Sequence, residues 1–199
     1  MRTAVYVAII DRDTELSPVY PPQRQADIDR CSNEGVRLEK YTAWRLLELA
    51  LRQSLGLDFK SLEFLKNSYG KWNTEGAFFS ISHSGGAVAV AVSDKPVGVD
   101  IEVVERYREG IEHRILTPSE SIACKELDAR EAEEYIIRKW SEKESIFKTL
   151  DIRAFEPLKI ETKEYPVKSQ VLDMLGKRFV LSVCSQDIDG IEYHLNTQI

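Results

Sequence analysis

Apolar positions fall into alternating runs at three places along the chain and into helical stripes between them. Tyr6, Val7, Ala8, Ile9 and Ile10 close an apolar run from Met1 that reads as a first strand, since Asp11, Arg12 and Asp13 follow at once with no small-residue cleavage site. Pro21 and Pro22 then open a polar helix from Gln23 to about Cys31. Asn33, Glu34 and Gly35 break it. A longer helix runs from about Val36 to Leu55, with Leu38, Tyr41, Leu47 and Leu51 near helical spacing and Gly56 suited to end it. The segment from Phe59 to Lys66 is expected to be helical, and Asn67 to Asn73 to be a turn-rich loop. Gly85-Gly86 joins two strand-like runs, Ala77–Ser84 and Ala87–Val92, as a hairpin. A third run, Val97 to Val104, is a strand with acids inside it. After a charged stretch, Thr117 and Asp128 each stand three residues before a Glu, so each starts a helix, the second reaching about Leu150. Strands are expected at Lys159–Glu164, Phe179–Ser185 and Ile191–Thr197, with Asp187 to Gly190 as a hairpin turn between the last two.

Strand, helices and strand pair are therefore followed by strand, helices and strands. This coarse doubling predicts an α+β fold of two subdomains, 1–96 and 97–199. No run approaches the length of a membrane span. The chain has 199 residues, 43% apolar and 30% charged, which fits a globular protein with a sizeable core. Its net charge of −6 argues against general nucleic-acid binding. The acid excess lies wholly in residues 97–199, while 1–96 balance. Cys31, Cys124 and Cys184 are isolated and odd in number, which suggests neither a disulfide framework nor a zinc site and points to the cytoplasm.

The acids decide the chemistry. Asp100 and Glu102 stand two apart on the Val97–Val104 strand, so both project from one face, about 6–7 Å apart. A hard divalent cation would relieve their repulsion; a strand with one face in water would too. In the long helix, Trp140, Glu144 and Lys148 share a face. Glu144 abuts the apolar stripe of Ile136, Trp140, Lys143 and Phe147, where an unpaired acid is costly. It is either a surface partner of Lys148 or a third carboxylate aimed at the same cation. Ser82, His83 and Ser84 end the first hairpin strand beside glycines and could present donors to an anion, although a structural histidine is equally in keeping. Lys71 sits on a Gly loop. Arg37, Lys40 and Arg45 lie on the polar faces of the long first helix, as a solvated surface or a phosphate-binding wall.

Three motifs stand in order: Phe79-Ser80-Ile81-Ser82-His83-Ser84, Val97-Gly98-Val99-Asp100-Ile101-Glu102, and Trp140-Ser141-Glu142-Lys143-Glu144-Ser145-Ile146-Phe147-Lys148. Together they resemble the signature of the 4′-phosphopantetheinyl transferases of the Sfp-like type. The resemblance implies a pseudo-symmetric pair of α/β subdomains side by side, with the active site between them. It implies transfer of phosphopantetheine from coenzyme A to a serine of an apo acyl, peptidyl or aryl carrier protein, releasing adenosine 3′,5′-bisphosphate. It implies Mg²⁺ or Mn²⁺ on Asp100, Glu102 and Glu144, with Glu144 and Lys148 as catalytic groups. Lys71, Ser82, His83 and a base such as Arg37 or Arg45 would bind coenzyme A. Trp72 departs from the pattern, standing where proline is usual after the family's Gly-Lys. A monomer acting on a protein and a coenzyme, with no membrane or nucleic-acid partner, is expected. The competing readings are a non-catalytic coenzyme A or carrier-binding module on the same fold and an unrelated Mg²⁺-dependent phosphohydrolase.

Overall fold

The computed structural model describes residues 3–68, 70–150 and 152–199; Met1 and Arg2 of the expected first strand and Tyr69 of the expected loop lie outside them. Strand β1 (Thr3–Ile9) is followed by α1 (Pro22–Asp29), which starts on proline, and α2 (Glu34–Leu55). Asn33 does more than break the chain: its side chain accepts from the Val36 amide as the N-cap of α2, and Gly56, left-handed at φ 67°, ends it.

The segment after α2 is not the expected helix. A single 3₁₀ turn at Phe59–Ser61 leads into β2 (Phe64–Lys66), which pairs antiparallel with β3 (Trp72–Thr74). Phe59 and Phe64 both pack on Trp44 and on each other. A helix would turn two side chains five residues apart to different sides, so the aromatic core overrides local preference.

Strands β4 (Phe78–Ser84) and β5 (Ala87–Ser93) form the expected hairpin, and β6 (Val97–Val103) follows. Helices α3 (Glu112–Ile115), α4 (Pro118–Cys124) and α5 (Ala129–Leu150) come next, with a complete capping box at Thr117 and Glu120 opening α4. The strand expected at Lys159–Glu164 is instead two 3₁₀ turns, Pro157–Lys159 and Thr162–Glu164. Pro157 has no N–H for a ladder, and its carbonyl accepts from Lys143. Strand β7 (Val167–Met174), not foreseen, pairs with β8 (Lys177–Ser185); it is an edge strand with a mostly half-exposed surface and so lacks a clean alternation. The last strand, β9 (Ile191–His194), does not fold back on β8 as expected. It pairs parallel with β1.

Beside the two-stranded β2-β3 sheet, two larger sheets result, ordered β4-β5-β1-β9 and β6-β8-β7. Alternate residues of β1 and β5 serve two cores. Tyr6, Ala8, Val88, Val90 and Val92 pack against Trp44, Leu46, Leu47 and Leu51 of α2. Val5, Val7, Ala89 and Ala91 pack against Val99, Ile101, Phe179, Leu181 and Val183 of the second sheet. Strand β5 is buried on both faces, which is why it reads as an unbroken run of Ala and Val. Because Val99 and Ile101 face the first sheet, Gly98, Asp100 and Glu102 must face the other way, toward α5.

Candidate active site

The site lies where β4, β6 and α5 meet. Strand β6 is the free edge of its sheet, so some of its amides need partners from outside the ladder. They find them on β4: the Val99 amide donates to Ser80 Oγ at 3.0 Å and the Val103 amide to Ser84 Oγ at 3.3 Å. The same face of β4 serves the acids. Ser82 Oγ donates to Asp100 Oδ1 at 2.7 Å, and Ser84 Oγ donates to Glu102 Oε2 at 2.7 Å. Three serines two residues apart thus stitch the sheets together and orient both carboxylates. Their spacing, matched to that of Asp100 and Glu102, was a readable signal for Ser80 and Ser84. Ser82, expected to meet an anion, has its hydroxyl committed to Asp100.

From the other side α5 closes on β6 through Gly98. A Cβ there would sit 1.9 Å from the Ser145 carbonyl oxygen, so only glycine permits this approach. It brings Lys148 and Glu144 to Asp100. Lys148 Nζ donates to Asp100 Oδ1 at 2.8 Å and to the Val99 carbonyl at 3.2 Å, and lies 3.4 Å from Glu144 Oε2. Glu102 also accepts from Trp140 Nε1 at 3.4 Å. The expected alternatives for Glu144 merge: it is both the i,i+4 partner of Lys148 and a neighbour of Asp100.

The electrostatics follow. Burial pushes the Glu144 carboxyl up to about 7; nearby Asp100 and Glu102 add to this, and Lys148 opposes it. Burial would raise Asp100 as well, yet Lys148 and the Ser82 hydroxyl outweigh it and hold Asp100 below the usual range. Burial pulls Lys148 down, but Asp100 and Glu144 more than restore it, so its ammonium is raised above the ordinary value. His83 is lowered, first by burial, then by Lys148 and Lys40, against Glu39, whose Oε2 lies 3.1 Å from Nδ1. Among the described residues no three His, Cys, Asp or Glu side chains form a ready metal cage, and Lys148 holds the centre of the acids. Asp100 Oδ2 is nevertheless buried without a hydrogen-bond donor among the described residues.

A cavity of about 530 Å³ opens beside this cluster. Lys148, Lys71 and His83 line it, with Phe79 and Phe147 as apolar walls. Lys71 Nζ donates to the Lys148 carbonyl at 2.9 Å, tying the β2–β3 hairpin to the end of α5. Arg37 and Arg45 do not reach the cavity. Arg37 faces a separate depression with Arg12 and Lys177; Arg45 faces another near the C-terminus and pairs with Glu48 at 2.6 Å. Each stands four residues from Tyr41 and so lies near its face of α2, whereas the cavity takes Lys40, Ala43 and Trp44 from that helix. Arg24, Lys40 and Arg153 stand in the cavity instead. Arg24 comes from α1 and lies 4.7 Å over the Trp44 ring, a placement that no spacing within one helix could reveal.

A sheet edge carrying paired acids, a helix delivering a third with its lysine, and a basic cavity thus lie side by side. The family profile described as the 4′-phosphopantetheinyl transferase superfamily matches residues 96–197, and the chain belongs to that superfamily. It is 32% identical over 106 residues to a 4′-phosphopantetheinyl transferase of Bacillus subtilis, covering 52% of this chain and 47% of that one. To the 4′-phosphopantetheinyl transferase Sfp of Bacillus subtilis strain 168 it is 31% identical over the same length and coverage. To the psf-1 transferase of Bacillus pumilus it is 37% identical over 70 residues, 35% of this chain and 30% of that one. The chain thus spans about half the length of the Bacillus subtilis relatives it matches. Among solved structures, the Thermotoga maritima holo-[acyl-carrier-protein] synthase aligns with TM-score 0.35 and 21% identity over 45% of this chain and 62% of that one. Among the described residues no helix is long and apolar enough to cross a membrane.

Proposed function

We propose that this chain transfers the 4′-phosphopantetheine group of coenzyme A to a serine of an apo carrier protein, releasing adenosine 3′,5′-bisphosphate. The observation that carries the reading is the meeting of Asp100, Glu102, Glu144 and Lys148 beside a cavity walled by Arg24, Lys40, Lys71 and Arg153. That charge pattern suits a bound pyrophosphate with acids held at its reacting end.

The residues divide the work. Lys148 is placed to neutralise charge building on the pyrophosphate. Glu144, poised at about 7, is suited to take the proton of the attacking serine hydroxyl near neutral pH. Lys71, His83 and Lys40 would hold phosphate oxygens, and Ser82 and Ser84 fix the acids. The residues fit a divalent cation: the donors are all carboxylate oxygens and Asp100 Oδ2 is orphaned. Asp100, Glu102 and Glu144 would hold it. When bound, Mg²⁺ or Mn²⁺ would offset pyrophosphate charge and orient the phosphorus for in-line attack. The proposal takes the two sides of the cleft from residues 1–96 and 97–199, and a monomer working in the cytoplasm.

The test is mass spectrometry of several apo carrier proteins after incubation with coenzyme A, Mg²⁺ and this chain. A gain of the phosphopantetheine mass on a carrier serine is expected. Folded protein that binds coenzyme A but modifies no carrier would leave the binding module, and release of free phosphate without a carrier would leave the phosphohydrolase. Replacing Mg²⁺ by a chelator should abolish transfer.

A further inference from the structure

One cysteine stands apart from the other two. Cys124 has its thiol pushed up by burial and by Glu112, and Cys184 is buried with its thiol pushed up for the same first reason. Cys31, just past the end of α1, is half-exposed, as is Cys124, and differs from it in its cationic neighbour. Its thiol donates to the Asp27 carbonyl at 3.5 Å, while Lys40 Nζ of α2 approaches its sulfur to 2.9 Å. Arg24 lies close by. The residue is only 9% exposed, one amino group of its guanidinium donates to the Lys40 carbonyl, and its buried Nε has no acceptor among the described residues. Burial lowers the Arg24 value, and the negative partners that oppose this are Asp27 and then Cys31. The Asp27 carboxylate is itself engaged by Lys66 and Arg30. An accessible sulfur thus meets the Lys40 ammonium, and the backbone carbonyl of the same lysine holds the under-satisfied Arg24 guanidinium; a cation against a sulfur favours thiol oxidation. Both cations also line the cavity.

We propose that Cys31 is an oxidative modification site: peroxide converts its thiol to a sulfenic acid, whose new oxygen engages the Lys40 ammonium and draws it away from the cavity. The sulfur attacks one peroxide oxygen, the S–O bond forms and the O–O bond breaks. The departing hydroxide takes the thiol proton and leaves as water. Sulfur loses two electrons and the peroxide gains them. Lys40 can donate a hydrogen bond to the departing oxygen and then to the one that stays. A dithiol reductant reverses the change.

The experiment treats the full chain with hydrogen peroxide and a sulfenic-acid-trapping 1,3-dione, then maps the label by peptide mass spectrometry. Cys31 is expected to label about tenfold faster than Cys124 or Cys184. Lys40→Met should slow Cys31 by about threefold or more while leaving Cys124 unchanged, with Lys40→Arg restoring much of the rate. In a second measurement, without the dione, acetylation of Lys40 by an amine-reactive ester is compared with that of exposed Lys60. Prior oxidation should protect Lys40 alone, and Cys31→Ser or a dithiol should remove the protection. Equal labelling of Cys31 and Cys124, a Cys31 rate indifferent to Lys40→Met, or Lys40 acetylation unmoved by oxidation would each overturn the proposal. None of these readings depends on transfer activity.

Discussion

At the scale of single residues, Glu144 carries the most testable statement. Its carboxyl is held up at about 7 against an ordinary 4.5, so between those values the folded chain binds a proton that the unfolded chain has released. Its contribution therefore stabilises the fold below 4.5 and is lost as pH rises through about 7. In chelator-treated protein, wild type should lose on the order of 2–3 kcal/mol relative to Glu144→Gln across that window; pH-dependent urea unfolding of the two proteins reads the difference, and parallel curves would refute the assignment. Transfer should vanish in Glu144→Gln. Ser82 makes the complementary case. Removing its hydroxyl leaves buried Asp100 with one donor fewer, so Ser82→Ala should cost about 1–3 kcal/mol, read as a drop in the urea midpoint. The identity of Asp100 and Glu102 as paired, same-facing acids was legible because strand periodicity alone dictates it. Arg24 was not legible: its place in the cavity depends on how α1 leans on Trp44, which no local pattern encodes.

At the scale of elements, α5 is positioned by two contacts on opposite sides. Against β6 it rests on Gly98. Gly98→Ala would drive a methyl into the Ser145 carbonyl, moving Lys148 and Glu144 off Asp100, with an expected cost of about 1–3 kcal/mol and near-complete loss of transfer. Wild-type activity in that variant would show that the close approach is not needed. On its far side α5 is held by Lys143, fully buried, whose Nζ pairs with Glu120 Oε2 at 2.6 Å and bonds the carbonyls of Ile115 and Pro157. The helical stripe marked Lys143 as a core position but not its partner, since Glu120 is distant in sequence and already occupied as the capping residue of α4. Lys143→Met strands that acid and should cost about 3–5 kcal/mol. Adding Glu120→Gln, which keeps a capping side chain, should recover more than half, as a denaturant double-mutant cycle would record. Helices with caps and stripes were thus readable. The elements misread were those whose partners lie elsewhere: β2, drawn out by the aromatic core, and the 157–164 segment, held by a lysine from α5.

At the scale of the whole molecule, the strand pattern suggested two abutting α+β subdomains, and strand pairing, hydrogen bonds and a shared core run between the two stretches of chain. Strand β9 leaves the second sheet's neighbourhood and covers the outer edge of β1, with the Thr197 amide donating to the Val7 carbonyl at 2.8 Å. A turn of Asp and Gly fits a hairpin equally well, so only the register against β1 decides where β9 goes. The serines of β4 and the shared core between the sheets add two further ties. One consequence concerns cooperativity. If β9 completes the first sheet, deleting residues 190–199 should uncover the β1 edge and loosen β1, β5 and β4 together, although every residue of the candidate site remains present. The serines on β4 would then lose their fixed distance to Asp100 and Glu102. The shortened chain should show a lower thermal midpoint, faster amide hydrogen exchange in β1 and β5 than in β8, and weakened transfer in step with the loss of β4 order. Exchange that stays slow in β1 while transfer persists would mean that β9 merely lies on the edge, and that the serine ties and the shared core alone hold the cleft in register.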